Sequence, residues 1–196
     1  MEEKQVYNLF KKKGALLEGH FLLSSGLHSP MYLQCAKLLQ YPDIAEELCS
    51  QLAENFKKNV DVVIAPAIGG IIVGYEVARA LKARAIFAER VEEKMALRRG
   101  LELKRKENVL AVEDVVTTGG SLNEIIQLAK EKGGNIVGVG ALVDRSGGKA
   151  QFGVKKVALL TLEIKNYPKE SCPLCKKGIP LVYLGSRPAC LSGGQA

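Results

Sequence analysis

Residues 109–121 read Val-Leu-Ala-Val-Glu-Asp-Val-Val-Thr-Thr-Gly-Gly-Ser: an apolar run, two adjacent acids at Glu113 and Asp114, and a small hydroxylated glycine turn. The β-branched run has the character of a buried strand, and Leu122, Ile125, Ile126 and Ala129 mark one face of a helix over 122–132. The turn therefore joins a strand to a helix. There Gly119 and Gly120 let backbone N–H groups crowd an anion, Thr117, Thr118 and Ser121 add hydroxyl donors, and the helix start contributes positive potential. Two carboxylates beside such a cradle suit a sugar's hydroxyls or a hydrated divalent cation. Phosphate next to polyol means a phosphosugar. Other nucleotide motifs fail: there is no Gly-x-x-x-x-Gly-Lys-Ser/Thr, and Gly138-Val-Gly140 is followed by Val143 where a third glycine is needed.

A second glycine-bearing turn, Pro66-Ala67-Ile68-Gly69-Gly70, follows the apolar Val62-Val-Ile-Ala65 and also points donors toward the carboxyl edge of a sheet. Two anion sites then face one crevice. Between Glu89 and Glu107, Arg90, Lys94, Arg98, Arg99, Lys104, Arg105 and Lys106 stand against five glutamates. So polar a stretch reads as a mobile loop, of a length suited to a lid that excludes water and neutralises charge on a leaving group. A solvated charged hairpin is the alternative.

The elements that must position these groups alternate. Strands are expected at 60–65, 85–88, 109–113 and 136–143 and helices at 71–81 and 122–132, which predicts an α/β fold with a doubly wound parallel sheet. Asp43, with Glu46 three residues on, predicts a capped helix whose stripe of Ile44, Leu48, Leu52 and Phe56 runs through to Lys58. Ahead of it, 21–26 and 31–36 read as two short strands around the turn at 26–30, a small hood. A strand is expected at 156–162, then a tail containing Pro, Gly and Cys with no assigned element. The whole of 1–196 is expected to form one domain: hood at 14–40, core at 60–145, C-terminal strand and tail at 150–196.

No apolar run reaches the roughly 18–20 residues needed to span a bilayer, and the start lacks a secretory signal, so a cytoplasmic location is expected. The net charge of +7 is uneven, because residues 144–196 hold nine Lys/Arg against three acids. Such a surface is a solvated lysine face or an attractor for a small polyanionic substrate, and only weakly a nucleic-acid site. Five scattered cysteines, Cys35, Cys49, Cys172, Cys175 and Cys190, argue against a disulfide framework. Cys172-Pro-Leu-Cys175 reads first as a structural, redox-inert turn. It is also half a zinc site, whose other ligands would have to be Cys190, histidine or a second subunit.

The strand, acidic pair and Thr-rich glycine turn resemble the signature of the type I phosphoribosyltransferases, which bind 5-phosphoribosyl-1-pyrophosphate. The resemblance implies that residues 117–121 take the 5′-phosphate and that residues 66–70 take the pyrophosphate. The implied phosphosugar-binding set is Ala67, Ile68, Gly69, Gly70, Arg90, Lys94, Glu113, Asp114, Val115, Val116, Thr117, Thr118, Gly119, Gly120 and Ser121. Glu113, Asp114, Arg90 and Lys94 are its catalytic members. The segment from Gly19 to Tyr32, together with Ala141-Leu-Val-Asp-Arg145, resembles the orotate branch of that family. Orotate carries a carboxylate, which arginine's planar fork suits, so Arg145 is the candidate base ligand, with Ser24, Ser25, Tyr32 and Thr117 implied around it. Well-known members carry lysine where this chain has Ser24 and Gly69, and histidine where it has Ala96. The pattern from Arg90 to Gly100 resembles a bacterial and archaeal subgroup whose members also carry a Cys-Pro-x-Cys segment. The resemblance further implies orotidine 5′-monophosphate synthesis and magnesium held mainly by substrate, with no direct protein ligand beyond the nearby Glu113 and Asp114. It also implies a homodimer sharing lid residues. A purine phosphoribosyltransferase and an RNA-binding regulator on the same fold are the alternatives.

Overall fold

Val6 and Phe10 stand four residues apart, so a helix puts both on one face; α1 (Glu3–Lys12) forms and buries the two completely. The computed structural model describes residues 1–184 apart from Ser24 and Lys58. An antiparallel hairpin follows, β1 (Leu16–Leu22) and β2 (His28–Leu33), with Leu16 opposite Leu33 and Leu22 opposite His28. The strands predicted at 21–26 and 31–36 are therefore displaced. The connection between β1 and β2 is closed by the Leu23 N–H on the Leu27 carbonyl. Pro30 lies inside β2 rather than in the turn, where the pairing skips between Glu18 and Phe21 and the missing N–H is tolerated.

Helices α2 (Ala36–Leu39) and α3 (Pro42–Ala53) come next, the second tightening into a 3₁₀ turn at Glu54–Phe56. Asp43 does not cap α3 as predicted. Pro42 opens the helix with its pre-set φ, Tyr41 precedes it, and Asp43 sits in the first turn facing the positive end of the dipole. The predicted stripe of Ile44, Leu48, Leu52 and Phe56 is buried; its expected end at Lys58 lies outside the described residues.

From residue 62 the chain alternates through β3 (Val62–Pro66), α4 (Gly70–Leu81), β4 (Arg84–Val91), β5 (Lys94–Leu97), β6 (Asn108–Val116), α5 (Gly120–Glu131), β7 (Asn135–Asp144) and β8 (Lys156–Thr161). The sheet order is β5-β4-β3-β6-β7-β8, parallel throughout except where β5 meets β4. Helices cover both faces, which is why the central strands are apolar in both directions. Val63, Ala65, Leu110 and Val112 pack with Leu48, Leu52 and Val77 on one side. Val62, Ile64, Val109 and Ala111 pack with Leu122, Ile125 and Ala129 on the other. This is the predicted doubly wound core. Among the described residues no helix is long and apolar enough to cross a membrane.

The stretch expected as a mobile loop opens as a hairpin. β4 runs on to Val91, Glu92 and Glu93 form a two-residue turn with φ of 45° and 67°, and Lys94 returns opposite Val91. Charge misled the sequence reading because β5 is the sheet's edge, where charged side chains are tolerated and block further pairing. Ion pairs organise the stretch: Arg99 grips Glu89 through two bonds of 2.9 Å, and Arg84 grips Glu107 at 2.8 and 2.9 Å. Leu101 and Leu103 then pin the return strand's exit to the α5 side of the core.

After β8 the chain turns at Lys169–Ser171, forms the short helix α6 (Pro173–Lys176) and adds β9 (Val182–Tyr183) parallel to β1. A second sheet of order β2-β1-β9 results, so the tail is built into the hood. Cys190 lies outside the described residues.

Candidate active site

Helix α4 leaves β3 on one face of the sheet, α5 leaves β6 on the other, and β3 and β6 are neighbours. Between their carboxyl ends the connections diverge, and this is where open parallel sheets bind ligands. Both glycine turns stand there. Gly119, at φ 82°, leads into α5; as N-cap it offers no side-chain cap, and the Gly120 N–H makes only a long 3.4 Å bond to the Thr118 hydroxyl, so the helix start is open to an anion. Thr117, Thr118 and Gly120 are exposed around it. Gly119 is required on two counts, since L residues rarely adopt that φ and a Cβ would lie 2.9 Å from the Phe152 ring. Gly119→Ala is expected to weaken binding of the phosphorylated substrate by about tenfold or more, roughly 1.4 kcal/mol. Its melting temperature should fall by a few degrees. Calorimetric titration and a melting curve measure both, and unchanged affinity would count against an anion cradle at this turn.

In the other turn the Ala67 N–H donates to the Ala88 carbonyl at 2.8 Å, the Ala67–Ile68 peptide is cis, and Ile68 is 85% exposed. Gly69 lies directly against the acidic pair: a Cβ there would come within 2.8 Å of Asp114 Oδ2. Absence of a side chain at 69 is what lets the first turn approach the carboxylate at the end of β6. Two segments over forty residues apart thereby form one site.

Glu113 and Asp114 are half-buried, and neither forms an ion pair among the described residues. Burial pushes the Glu113 carboxyl up to about 8, with Asp114 adding to the rise and the Ser121 hydroxyl opposing it. Burial raises Asp114 as well, against the backbone N–H groups of Val115 and Asp114 itself. Adjacent acids that lack a positive partner are poised to receive hydroxyl donors, a cation or positive charge that develops during reaction.

A cleft of about 700 Å³ adjoins the turn at 117–118, with Arg145, Ser146, Lys165 and Asn166 on its wall. Arg145, just past β7, is 9% exposed. Its backbone N–H donates to the Val116 carbonyl, and its Nη2 donates to the Ser29 hydroxyl and the Asn166 amide oxygen, both at 3.2 Å. Burial pulls its pKa down and the neighbouring Tyr32 opposes that shift. No carboxylate pairs with it among the described residues. A guanidinium buried without an acid is costly, and its fork fits a planar carboxylate. Asp144 is not that acid: it accepts from the Ser146 N–H and hydroxyl and from Lys156 Nζ at 2.6–2.8 Å. Against the effect of burial, Lys156 and Ser146 hold its carboxyl below the usual range. A smaller hollow of about 310 Å³ near Phe56 and Lys155 lies at the amino edge of the sheet and contains none of these groups.

Of the base-site residues named from sequence, Thr117 and Arg145 line the cleft, whereas Ser25 is exposed in the hood turn. Tyr32 is off that wall and donates its hydroxyl to the Leu184 carbonyl at 3.2 Å. Ser24 lies outside the described residues. Ser29 and Asn166 are the additions: the first is hidden in a His-Ser-Pro run that reads as turn, and nothing around the second carries a signal. Arg90 is held by Glu124 of α5 at 2.8 and 3.0 Å and by the Glu93 carbonyl. Lys94 lies beside Asn123 and Glu124. Neither pairs with Glu113 or Asp114 within this chain, so the structure does not bring the lid cations to the acids.

The architecture is that of the type I phosphoribosyltransferases, and the phosphoribosyl transferase domain family matches residues 36–166. Orotate phosphoribosyltransferase of Caldanaerobacter subterraneus subsp. tengcongensis is 57% identical over 188 residues, 95% of this chain and 99% of that protein. The enzyme of the same name from a Thermoanaerobacter species is 56% identical over 188 residues, with the same coverage. Among solved structures, orotate phosphoribosyltransferase from Aeropyrum pernix superposes with a TM-score of 0.69 at 27% identity, over 81% of this chain and 94% of that one. The chain belongs to the orotate phosphoribosyltransferase family.

Proposed function

We propose that this chain transfers the 5-phosphoribosyl group from 5-phosphoribosyl-1-pyrophosphate to orotate, releasing pyrophosphate and forming orotidine 5′-monophosphate in pyrimidine nucleotide synthesis. The observation that carries the choice of base is Arg145, a cation buried without an acid partner among the described residues, at the wall of a cleft beside the phosphate cradle. A base bearing a carboxylate completes it; a purine would leave it unpaired. Residues 117–121 take the 5′-phosphate, Ala67, Ile68, Gly69 and Gly70 take the pyrophosphate, and Val115 and Val116 back the ribose. Lys149 and Lys165 also line the cleft, so part of the basic C-terminal charge faces a small polyanion's site.

Catalysis is electrostatic. As the glycosidic C–O bond lengthens, the ribose gains oxocarbenium character, and Glu113 and Asp114 hold its hydroxyls and oppose the growing positive charge. The orotate nitrogen, fixed by Arg145, then closes on the anomeric carbon. Magnesium fits the site, since the two acids are oxygen donors without a cation partner among the described residues; it would be held mainly by the phosphosugar with Glu113 and Asp114 nearby. When bound, it supplies charge that stabilises departing pyrophosphate.

Arg90 and Lys94 are assigned to the leaving group of a neighbouring subunit's site in a homodimer. Supporting this, Ile68, Ile72 and Tyr75 form an exposed apolar stripe on and before α4, a face suited to a second copy. Both substrates are charged, orotate as a carboxylate and phosphoribosyl pyrophosphate as a polyanion, and neither crosses a bilayer unaided, which favours a cytoplasmic location. The test is turnover with phosphoribosyl pyrophosphate, magnesium and a panel of orotate, uracil, adenine, hypoxanthine and xanthine. Consumption of orotate alone is expected; turnover of a purine alone overturns the assignment.

A further inference from the structure

Four side chains outside the reacting groups converge between the hood and the tail: His20 of β1, His28 of β2, and Cys172 and Cys175 flanking and within α6. Their ligand atoms all lie within 4.8 Å of one another. His20, His28 and Cys172 are almost wholly buried, and both cysteines are free thiols. Cys172 Sγ stands 3.6 Å and Cys175 Sγ 3.7 Å from His20 Nε2, and Cys175 Sγ stands 3.3 Å from His28 Nδ1. Ligands at Zn–S of about 2.3 Å and Zn–N of about 2.0–2.1 Å, set at tetrahedral angles, are separated by about 3.6 Å. The two sulfur–nitrogen spacings to His20 match that figure, and the 3.3 Å one from Cys175 to His28 falls slightly below it. The His20 Nε2 to His28 Nδ1 distance of 2.7 Å is shorter, and seating an ion would spread the two rings.

The surroundings fix the imidazole orientation. His20 Nδ1 stands 2.7 Å from the Ile179 carbonyl, an acceptor that requires the proton to sit on Nδ1. The Nε2 lone pair is thereby turned toward the sulfurs, the arrangement by which a backbone carbonyl orients a metal-bound histidine. A redox-active Cys-x-x-Cys has no use for two buried imidazoles aimed at its sulfurs, and a merely structural turn has none either.

We propose that His20, His28, Cys172 and Cys175 bind one Zn²⁺ in a closed tetrahedral site that staples the C-terminal segment to the hood. Two thiolates and two imidazoles select zinc over the oxygen-seeking magnesium. The ion's role is structural, because all four positions are filled by protein. The cysteines lie about 150 residues from the histidines in the chain, so the metal binds only once the two ends of that loop have met, and its binding free energy stabilises the folded state. The staple also bears on Arg145. His28 precedes Ser29 and exchanges two 2.8 Å backbone hydrogen bonds with Tyr167, which follows Asn166. Ser29 and Asn166 are the two groups that position the guanidinium. The metal site itself does not depend on which reaction is catalysed.

The test uses the full chain without a polyhistidine tag, purified with reductant. Elemental analysis is expected to give about one zinc per chain, falling to near zero in Cys172→Ser/Cys175→Ser while Cys49→Ser keeps its metal. Titration of metal-free wild-type protein with Co²⁺ should saturate at one equivalent and develop the intense visible bands of tetrahedral cobalt with thiolate charge transfer. Zinc removal should lower the melting temperature by roughly 10 °C or more, reversed by zinc and not by magnesium. If the double serine variant fails to fold, the wild-type cobalt titration decides alone. A weak octahedral spectrum, or no uptake by reduced protein at micromolar metal, overturns the proposal.

Discussion

Glu113→Gln is expected to melt at a higher temperature than the wild-type protein near pH 8 and to turn over about 10²–10³-fold more slowly. The first effect follows from where its proton resides. Burial, then Asp114, lift the Glu113 carboxyl from 4.5 to about 8 in the folded chain. Between those two values the folded state keeps a proton that the unfolded chain has released, so this group's stabilisation is greatest below pH 4.5. It is lost as pH rises through the window toward 8. Glutamine does not ionise and flattens that slope. A recovered 1 kcal/mol corresponds to about 2–4 °C in a domain of this size. The kinetic loss has the size seen when one pre-positioned electrostatic group is removed from a transition state. Melting curves from pH 5 to 9 beside kcat measure both. A variant with the wild-type pH slope, or with undiminished kcat, would show that Glu113 neither carries the misplaced proton nor meets the ribose. The same logic requires phosphosugar binding to release protons near pH 7, readable by titration calorimetry in buffers of different ionisation enthalpy.

Arg145→Ala is expected to raise the KM for orotate about 100-fold or more while moving that for phosphoribosyl pyrophosphate by less than about threefold. Truncating one partner of a buried charged pair commonly costs about 2–5 kcal/mol, and 2.7 kcal/mol is a factor of about 100. Arg145→Lys should recover little, because an ammonium cannot make the paired parallel bonds of a guanidinium to a carboxylate. Steady-state kinetics with each substrate varied in turn decides the matter. Equal effects on both constants would place Arg145 in general support of the fold rather than against the base.

The elements that carry the two glycine turns and the acidic pair were legible in the sequence because each is contiguous. A β-branched run, two acids, a glycine turn and a helical stripe occupy neighbouring residues, and local sterics with apolar periodicity decide their conformation before any long-range contact forms. The same holds for the doubly wound core, whose strands betray burial on both faces through unbroken apolar runs. Errors arose where position depends on distant partners. The hairpin of β4 and β5 looked like loop because its charges are answered by partners outside any local pattern, Glu124 of α5 for Arg90 and Glu107 for Arg84. Pro30 looked like turn because the skipped register that admits it belongs to β1.

What the chain alone determined, then, is a pair of glycine-bearing strand-to-helix turns and an acidic pair on a parallel sheet. The tertiary structure decided that Gly69 backs onto Asp114, that Arg145 is buried between Ser29 and Asn166 with no acid paired to it among the described residues, and that a Cys-x-x-Cys segment meets two histidines of the hood. The physical reason is sequence separation. Contacts across 21 to 155 residues form only once core burial has offset the entropy of closing such loops, and no local pattern announces them.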